Sequence, residues 1–88
     1  MTESRFTQIM NEELHNLPQI KVFQNRALAG LKIIAKYLPA AGVEGADHDV
    51  IYSVDVNEIV KAGITEEDAI QLRQLNWMID DGYLAKFV

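Results

Sequence analysis

An Asp-Gly pair near the C-terminus constrains this chain more than any other feature of its sequence. Asp81-Gly82 separates two β-rich runs, residues 77–79 and 83–88, and Asp-Gly is a preferred sequence for the two-residue type I′ turn of a β-hairpin. With this pair at the tip, Ile79 faces Leu84 across the ribbon. The end of the chain is therefore predicted to be a hairpin of defined register.

Residues 49–56 are predicted to form a third strand. Their sequence, DVIYSVDV, alternates between two faces, which is typical of a strand that is buried on one side. The residues predicted to face the core are Val50, Tyr52, Val54 and Val56. The residues predicted to face away are Ile51, Ser53 and Asp55. With the hairpin, this strand predicts a three-stranded antiparallel sheet.

The spacing of apolar residues predicts two helices before the strand. The first covers residues 1–16 and can be capped by Thr2. The second is longer and covers residues 17–38. It is predicted to end before Pro39, because a proline disfavours the helical conformation at the residue before it. Residues 39–48 are rich in Gly and Ala, show no periodicity, and are predicted to be a loop.

Two shorter helices are predicted between the strand and the hairpin. One covers residues 57–62 and ends at Gly63, and the next is capped by Thr65, with Asp68 as its acidic partner. The predicted fold is therefore α+β, with two N-terminal helices followed by strand, helix, helix and hairpin. All 88 residues are assigned to a single domain, residues 1–88, since a chain of this length has room for only one.

Composition excludes several classes of function. The chain has no cysteine, so disulfides, thiolate metal ligands and a thiol nucleophile are excluded. No apolar run approaches the roughly 18–20 residues that a membrane helix needs. We therefore expect a cytoplasmic protein with no membrane partner.

The charges of the chain are segregated along the sequence. Residues 14–43 contain four basic residues and no acid, whereas residues 44–88 contain ten acids and three bases. The long predicted helix also has a second apolar face, so it should be covered on two sides, either by the first helix and the C-terminal half of the chain or in part by a second copy of the protein. We predict a partner-binding set composed of Val22, Ala29, Lys32, Ile33, Lys36, Glu66, Glu67 and Asp68. In a homodimer, the Lys32/Lys36 flank of one copy would face either Glu66–Asp68 or the Asp80–Asp81 edge of the other.

Residues 56–77, VNEIVKAGITEEDAIQLRQLNW, resemble a winged helix-turn-helix protein, with Gly63 as the turn glycine and the C-terminal hairpin as the wing. The resemblance covers residues 24–88 and implies a DNA-binding regulator. In that family the third helix enters the major groove. Here that helix begins with Glu66, Glu67 and Asp68, which would face the phosphates where DNA binding requires bases. We therefore do not expect nucleic acid to be the partner.

A second resemblance is to small uncharacterised bacterial and mobile-element proteins that combine an H-D-x-I-Y strand with a W-x-x-D hairpin. The matching residues here are His48, Asp49, Ile51, Tyr52, Trp77 and Asp80. This resemblance implies a cytoplasmic bacterial origin and no particular chemistry.

The sequence carries no catalytic signature. Asp47-His48-Asp49 is the densest group of potential metal ligands, and with Glu12 and His15 it could converge on a metal, or it could simply bond local backbone at the start of a strand. We expect no enzyme activity, no cofactor and no metal. The predicted function is a small acidic protein-interaction or regulatory module. The alternatives are a winged-helix DNA-binding transcriptional regulator and an acidic mimic of DNA.

Overall fold

The described part of the chain folds into four helices and one antiparallel sheet, so the α+β class is confirmed. The computed structural model describes residues 1–14, 17 and 25–87. The helices are α1 (Glu3–Met10), α2 (Arg26–Tyr37), α3 (Val56–Lys61) and α4 (Glu66–Gln74). The strands are β1 (Gly45–Asp47), β2 (Val50–Asp55), β3 (Met78–Asp80) and β4 (Tyr83–Phe87). The strand order in the sheet is β1-β2-β4-β3.

The sheet has four strands in the described residues, so the prediction of three strands is wrong. The extra strand, β1, lies in the predicted loop 39–48 and pairs with β2, with Gly45 opposite Tyr52 and Asp47 opposite Val50. It is exposed along its whole length, so no alternation of apolar residues marks it in the sequence. β1 is a strand only because it pairs with β2. With this fourth strand, the sheet does not match the winged-helix layout exactly.

Both N-terminal helices are shorter than predicted. Thr2 does cap α1, but the helix ends at Met10 because Asn11, a weak helix former, is its C-cap. Helix α2 begins at Arg26, not near residue 17, because Asn25 has a non-helical ψ of 114° and its side chain caps the amide groups of Ala27 and Leu28. Most of the segment before Asn25, residues 18–24, lies outside the described part of the chain.

The predictions for the C-terminal half agree closely with the structure. Asp55 caps α3 and Thr65 caps α4. The hairpin register is confirmed, since Ile79 lies opposite Leu84. Asp81 and Gly82 both have positive φ, as a type I′ turn requires.

The core lies between the helices and one face of the sheet. Its buried side chains come from all four helices, from β2 and β4 and from the segments that connect them: Phe6, Ile9, Met10, Ile34, Val54, Val56, Ile59, Ile64, Ala69, Leu72, Leu75, Trp77 and Leu84. Helix α1 packs against α4, α3 and β3. Within the described residues, no helix is both long and apolar enough to cross a membrane.

A register shift between Tyr52 and Asp55 exchanges the predicted faces of the first half of β2 only, since Val54 and Val56 are buried in the core as predicted. At this shift, Ser53 and Val54 are both buried, as happens when a β-bulge places an extra residue in one strand. The hydroxyl of Ser53 donates a hydrogen bond to the carbonyl of Gly42 at 2.7 Å. The prediction that Ser53 faces away from the core is therefore wrong.

Candidate functional site: the open face of the sheet

The sheet face that points away from the helices carries a group of apolar and aromatic side chains. Strand pairing places Met78 and Tyr52 on either side of Ala85, and Val50 opposite Phe87. We call these residues, with Tyr83, the open face: Val50, Tyr52, Met78, Tyr83, Ala85 and Phe87. Ala85 is fully buried, whereas the other five lie outside the hydrophobic core.

The open face includes residues of β2 that the alternation of residues 49–56 assigned to the core. Val50 and Tyr52 were expected to face the core, whereas Ile51, expected to face away, packs against it. The bulge at Ser53 and Val54 interrupts the alternation, so residues before it lie on the opposite face from the one that an unbroken period of two predicts. The sequence reasoning also did not single out Tyr83 or Phe87 as a surface, although their alternation along β4 places them on one face.

A hydrogen bond between Tyr52 and Asp80 connects two strands across the open face. The Tyr52 hydroxyl donates a hydrogen bond to Asp80 Oδ2 at 2.8 Å, which joins β2 to β3 across the intervening strand β4. Between them lies Ala85, which is fully buried although its neighbours are outside the core. The bond to Asp80, together with burial and the nearby carboxylates, raises the pKa of Tyr52.

A shallow pocket of about 370 Å³ opens beside Tyr52, and we call it the tyrosine pocket. Its lining residues are Glu44, Gly45, Tyr52, Asp81 and Tyr83. The amide of Glu44 donates to the Tyr52 carbonyl at 2.7 Å, and Gly45 is the cross-strand partner of Tyr52. Asp81 comes from the hairpin tip. The pocket thus combines two phenol rings with two carboxylates from separate segments.

Two of the predicted partner-binding residues meet each other within one chain. Lys36 Nζ lies 2.7 Å from Asp68 Oδ2, and the Tyr37 hydroxyl donates to the same oxygen. These two hydrogen bonds lower the pKa of Asp68, which is buried. The opposite charges that suggested a dimer therefore complement each other, at this pair, inside the protomer.

The other predicted partner-binding residues are distributed differently. Glu66 pairs with Arg5, and this hydrogen bond lowers the pKa of Glu66. Ala29 and Ile33 are half buried and pack against the core, while Lys32 and Glu67 are exposed. Val22 lies outside the described residues.

Asp47 is the last residue of β1, and His48 and Asp49 form the turn between β1 and β2, with all three residues exposed. His48 Nε2 lies 3.6 Å from Asp47 Oδ1, and His15 lies outside the described residues. Within the described part of the chain, no three His, Cys, Asp or Glu side chains are grouped so that they could hold a metal ion.

Comparison with known proteins does not assign this chain to a family. No family model, no curated protein and no solved structure matches it. The winged-helix resemblance therefore stays a prediction.

Proposed function

We propose that this chain is a protein-interaction module without catalytic activity, and that its open face binds a basic segment of another protein. The observation that carries the proposal is the exposure of large aromatic side chains outside the core. Phe87 is 55% exposed and Tyr83 is 43% exposed. Clustered exposed apolar side chains are typical of binding surfaces, and aromatic residues are enriched at protein interfaces.

The charges around the open face favour a basic partner. Asp47 and Asp80 belong to strands of this sheet and are exposed, as is Asp81 at the hairpin tip. The three basic residues of the same half of the chain, Lys61, Arg73 and Lys86, are not among the residues of the open face. The buried Lys86 ammonium donates to the Phe87 carbonyl, and the Arg73 guanidinium donates to two backbone carbonyls. A positively charged segment is therefore the electrostatic complement of this surface.

DNA is a poorer ligand for this arrangement. The first turn of α4 is acidic, and its two partner cations, Arg5 and Lys36, are engaged by Glu66 and Asp68. The hairpin that a winged helix would use as its wing ends in Asp80 and Asp81. We expect no change in the fluorescence anisotropy of a labelled duplex at low salt. Binding at tens of micromolar would favour the regulator instead, because working DNA-binding modules have non-specific Kd values of about 10⁻⁴–10⁻⁶ M at physiological salt.

A second copy of the chain is also a poorer partner than a basic protein. Lys36 and Asp68 already pair within the protomer. Two open faces in contact would also bring the carboxylates beside them, Asp80 and Asp81 of each copy, close together. Light scattering across a salt series tests this argument. We expect a monomer at all salt concentrations, and a dimer at low salt would favour self-association.

Site-specific photo-crosslinking in the native host tests the proposed surface. A photoreactive phenylalanine analogue replaces Phe87, and in a matched protein it replaces Leu28, an exposed apolar residue of α2. We expect a crosslinked protein with a basic segment from position 87, lost when Tyr83→Ser is added, and not from position 28. Identical products from both positions, or products that persist with Tyr83→Ser, would contradict the proposal.

A further inference from the structure

We infer that the tyrosine pocket is a binding site for one cationic side chain, the ammonium of a lysine or the guanidinium of an arginine. The inference rests on the proposed function, because it names the group by which a basic protein partner is held. The pocket shares Tyr52 and Tyr83 with the open face but does not include Phe87, and binding of a single cation can be measured without a protein partner.

The shape of the pocket suits a single side chain. Its volume of about 370 Å³ lies near the lower end of the range of about 300–1,000 Å³ that is typical of small-molecule pockets. Gly45 forms one wall without a side chain, and a Cβ built there would meet nothing within 4 Å. The entrance on this side is therefore unobstructed for an extended lysine or arginine.

The aromatic walls supply the first part of the recognition. Tyr52 and Tyr83 both line the pocket, and the face of an aromatic ring attracts a cation within about 6 Å of its centre. The Tyr52 hydroxyl is held by Asp80 at 2.8 Å, so this ring is already positioned before a ligand arrives. A ring that is ordered in advance loses less entropy on binding.

The carboxylates supply the second part. Glu44 and Asp81 line the pocket from different segments, and none of the basic residues that the structure describes is among its lining residues. The negative charges of Asp80, Asp47 and Asp81 act on Tyr52 and help to raise its pKa. The same negative field that disfavours a phenolate favours a bound cation.

NMR titration of the intact chain with small model compounds tests the inference. The probes are N-acetyl-lysine methylamide, N-acetyl-arginine methylamide and, as the neutral control, N-acetyl-norleucine methylamide. We expect the lysine or the arginine compound to shift the Gly45 amide and the ring signals of Tyr52 and Tyr83, and the norleucine compound to leave them unchanged. Equal shifts with all three compounds would overturn the inference.

Substitutions then assign the binding to the two parts of the pocket. Glu44→Gln with Asp81→Asn should weaken binding of the cation about tenfold, and Tyr83→Leu should weaken it several-fold. Glu3→Gln with Glu67→Gln removes the same net charge far from the pocket. This control should retain most of the affinity, and an equal loss would mean that only overall charge matters.

The two proposals fail in different ways. If position 87 crosslinks a basic partner but the lysine and arginine compounds do not shift the pocket, the module stands and the cation pocket is wrong. If the compounds bind but no crosslinked partner depends on the open face, the pocket stands as a cation site and the proposed function is wrong.

Discussion

The indole ring of Trp77 lies directly against the backbone of Gly30, and its Nε1 donates a hydrogen bond to the Arg26 carbonyl of the same helix at 3.2 Å. A Cβ built at Gly30 would lie 1.9 Å from Trp77 Nε1, far inside any real contact. The glycine therefore allows α2 to approach the strand segment closely enough to cover a fully buried tryptophan.

Gly30→Ala should destabilise the protein although alanine is the better helix former. The clash with Trp77 should outweigh the gain of about 1 kcal/mol in helix propensity and leave a net loss of about 1–3 kcal/mol. Urea denaturation followed by tryptophan fluorescence measures the change. Gly42→Ala is the matched control, since its Cβ meets nothing within 4 Å. A Gly30→Ala protein as stable as the wild type would contradict this account of the contact.

Asp68→Asn should destabilise the protein at neutral pH and much less in acid. The hydrogen bonds from Lys36 and Tyr37 lower the pKa of Asp68, so its stabilisation is present above the ordinary pKa of about 4 and is lost as the pH falls through the lower folded value. We expect a loss of about 1–2 kcal/mol at pH 7. Thermal unfolding at pH 7 and near pH 2 measures both values.

The control for this prediction is Glu67→Gln, an exposed carboxylate in the same helical turn. Its effect should stay within about 0.5 kcal/mol. A difference between Asp68→Asn and wild type that does not depend on pH would show that the side-chain charge is not responsible.

Lys86→Met should stabilise the protein near neutral pH. Burial, and then the charge of Arg26, lower the pKa of Lys86, so folding disfavours its ionised form. Removing the cation should raise the free energy of unfolding by about 1 kcal/mol. The gain should shrink as the pH rises from the folded toward the unfolded pKa, where the wild-type lysine also loses its charge.

Chemical denaturation at pH 7 and pH 10 compares Lys86→Met with wild type. Lys61→Met, at an exposed position in the last turn of α3, is the control and should not stabilise the protein. A destabilised Lys86→Met protein would mean that the bond from Lys86 to the Phe87 carbonyl outweighs the cost of burying the charge.

Asp80→Asn should lower the pKa of Tyr52. The hydrogen bond to the Asp80 carboxylate is the largest cause of the raised value, and an asparagine at this position carries no charge. Absorbance titration of the tyrosines, with Tyr52→Phe to identify the Tyr52 contribution, measures the shift. An unchanged Tyr52 titration in Asp80→Asn would contradict the bond across the open face.

Local patterns in the sequence were sufficient for the elements whose limits are set by neighbouring residues. Asp81-Gly82 determined the turn and the pairing of Ile79 with Leu84, and Thr65 capped α4 as predicted. In each case the decisive bond or conformation lies within a few residues, so no knowledge of the rest of the chain was needed.

Longer-range features could not be obtained in the same way. The exposed strand β1 exists because β2 lies beside it, and the bulge at Ser53 depends on the register with β4. The prediction of the candidate site was affected most, because a one-residue shift in register exchanges the buried and exposed faces of a strand. Tyr52 was consequently assigned to the core when it belongs to the open face.

The sequence by itself determined the α+β class, the C-terminal hairpin and the segregation of charge. Only the tertiary structure decided where these charges act: Lys36 and Asp68, well apart in sequence, are joined within one protomer, whereas the acids of the hairpin and the β1 segment surround two tyrosines. The physical reason is that a charge pattern is a property of the chain, but the partner of each charge is set by which elements pack together.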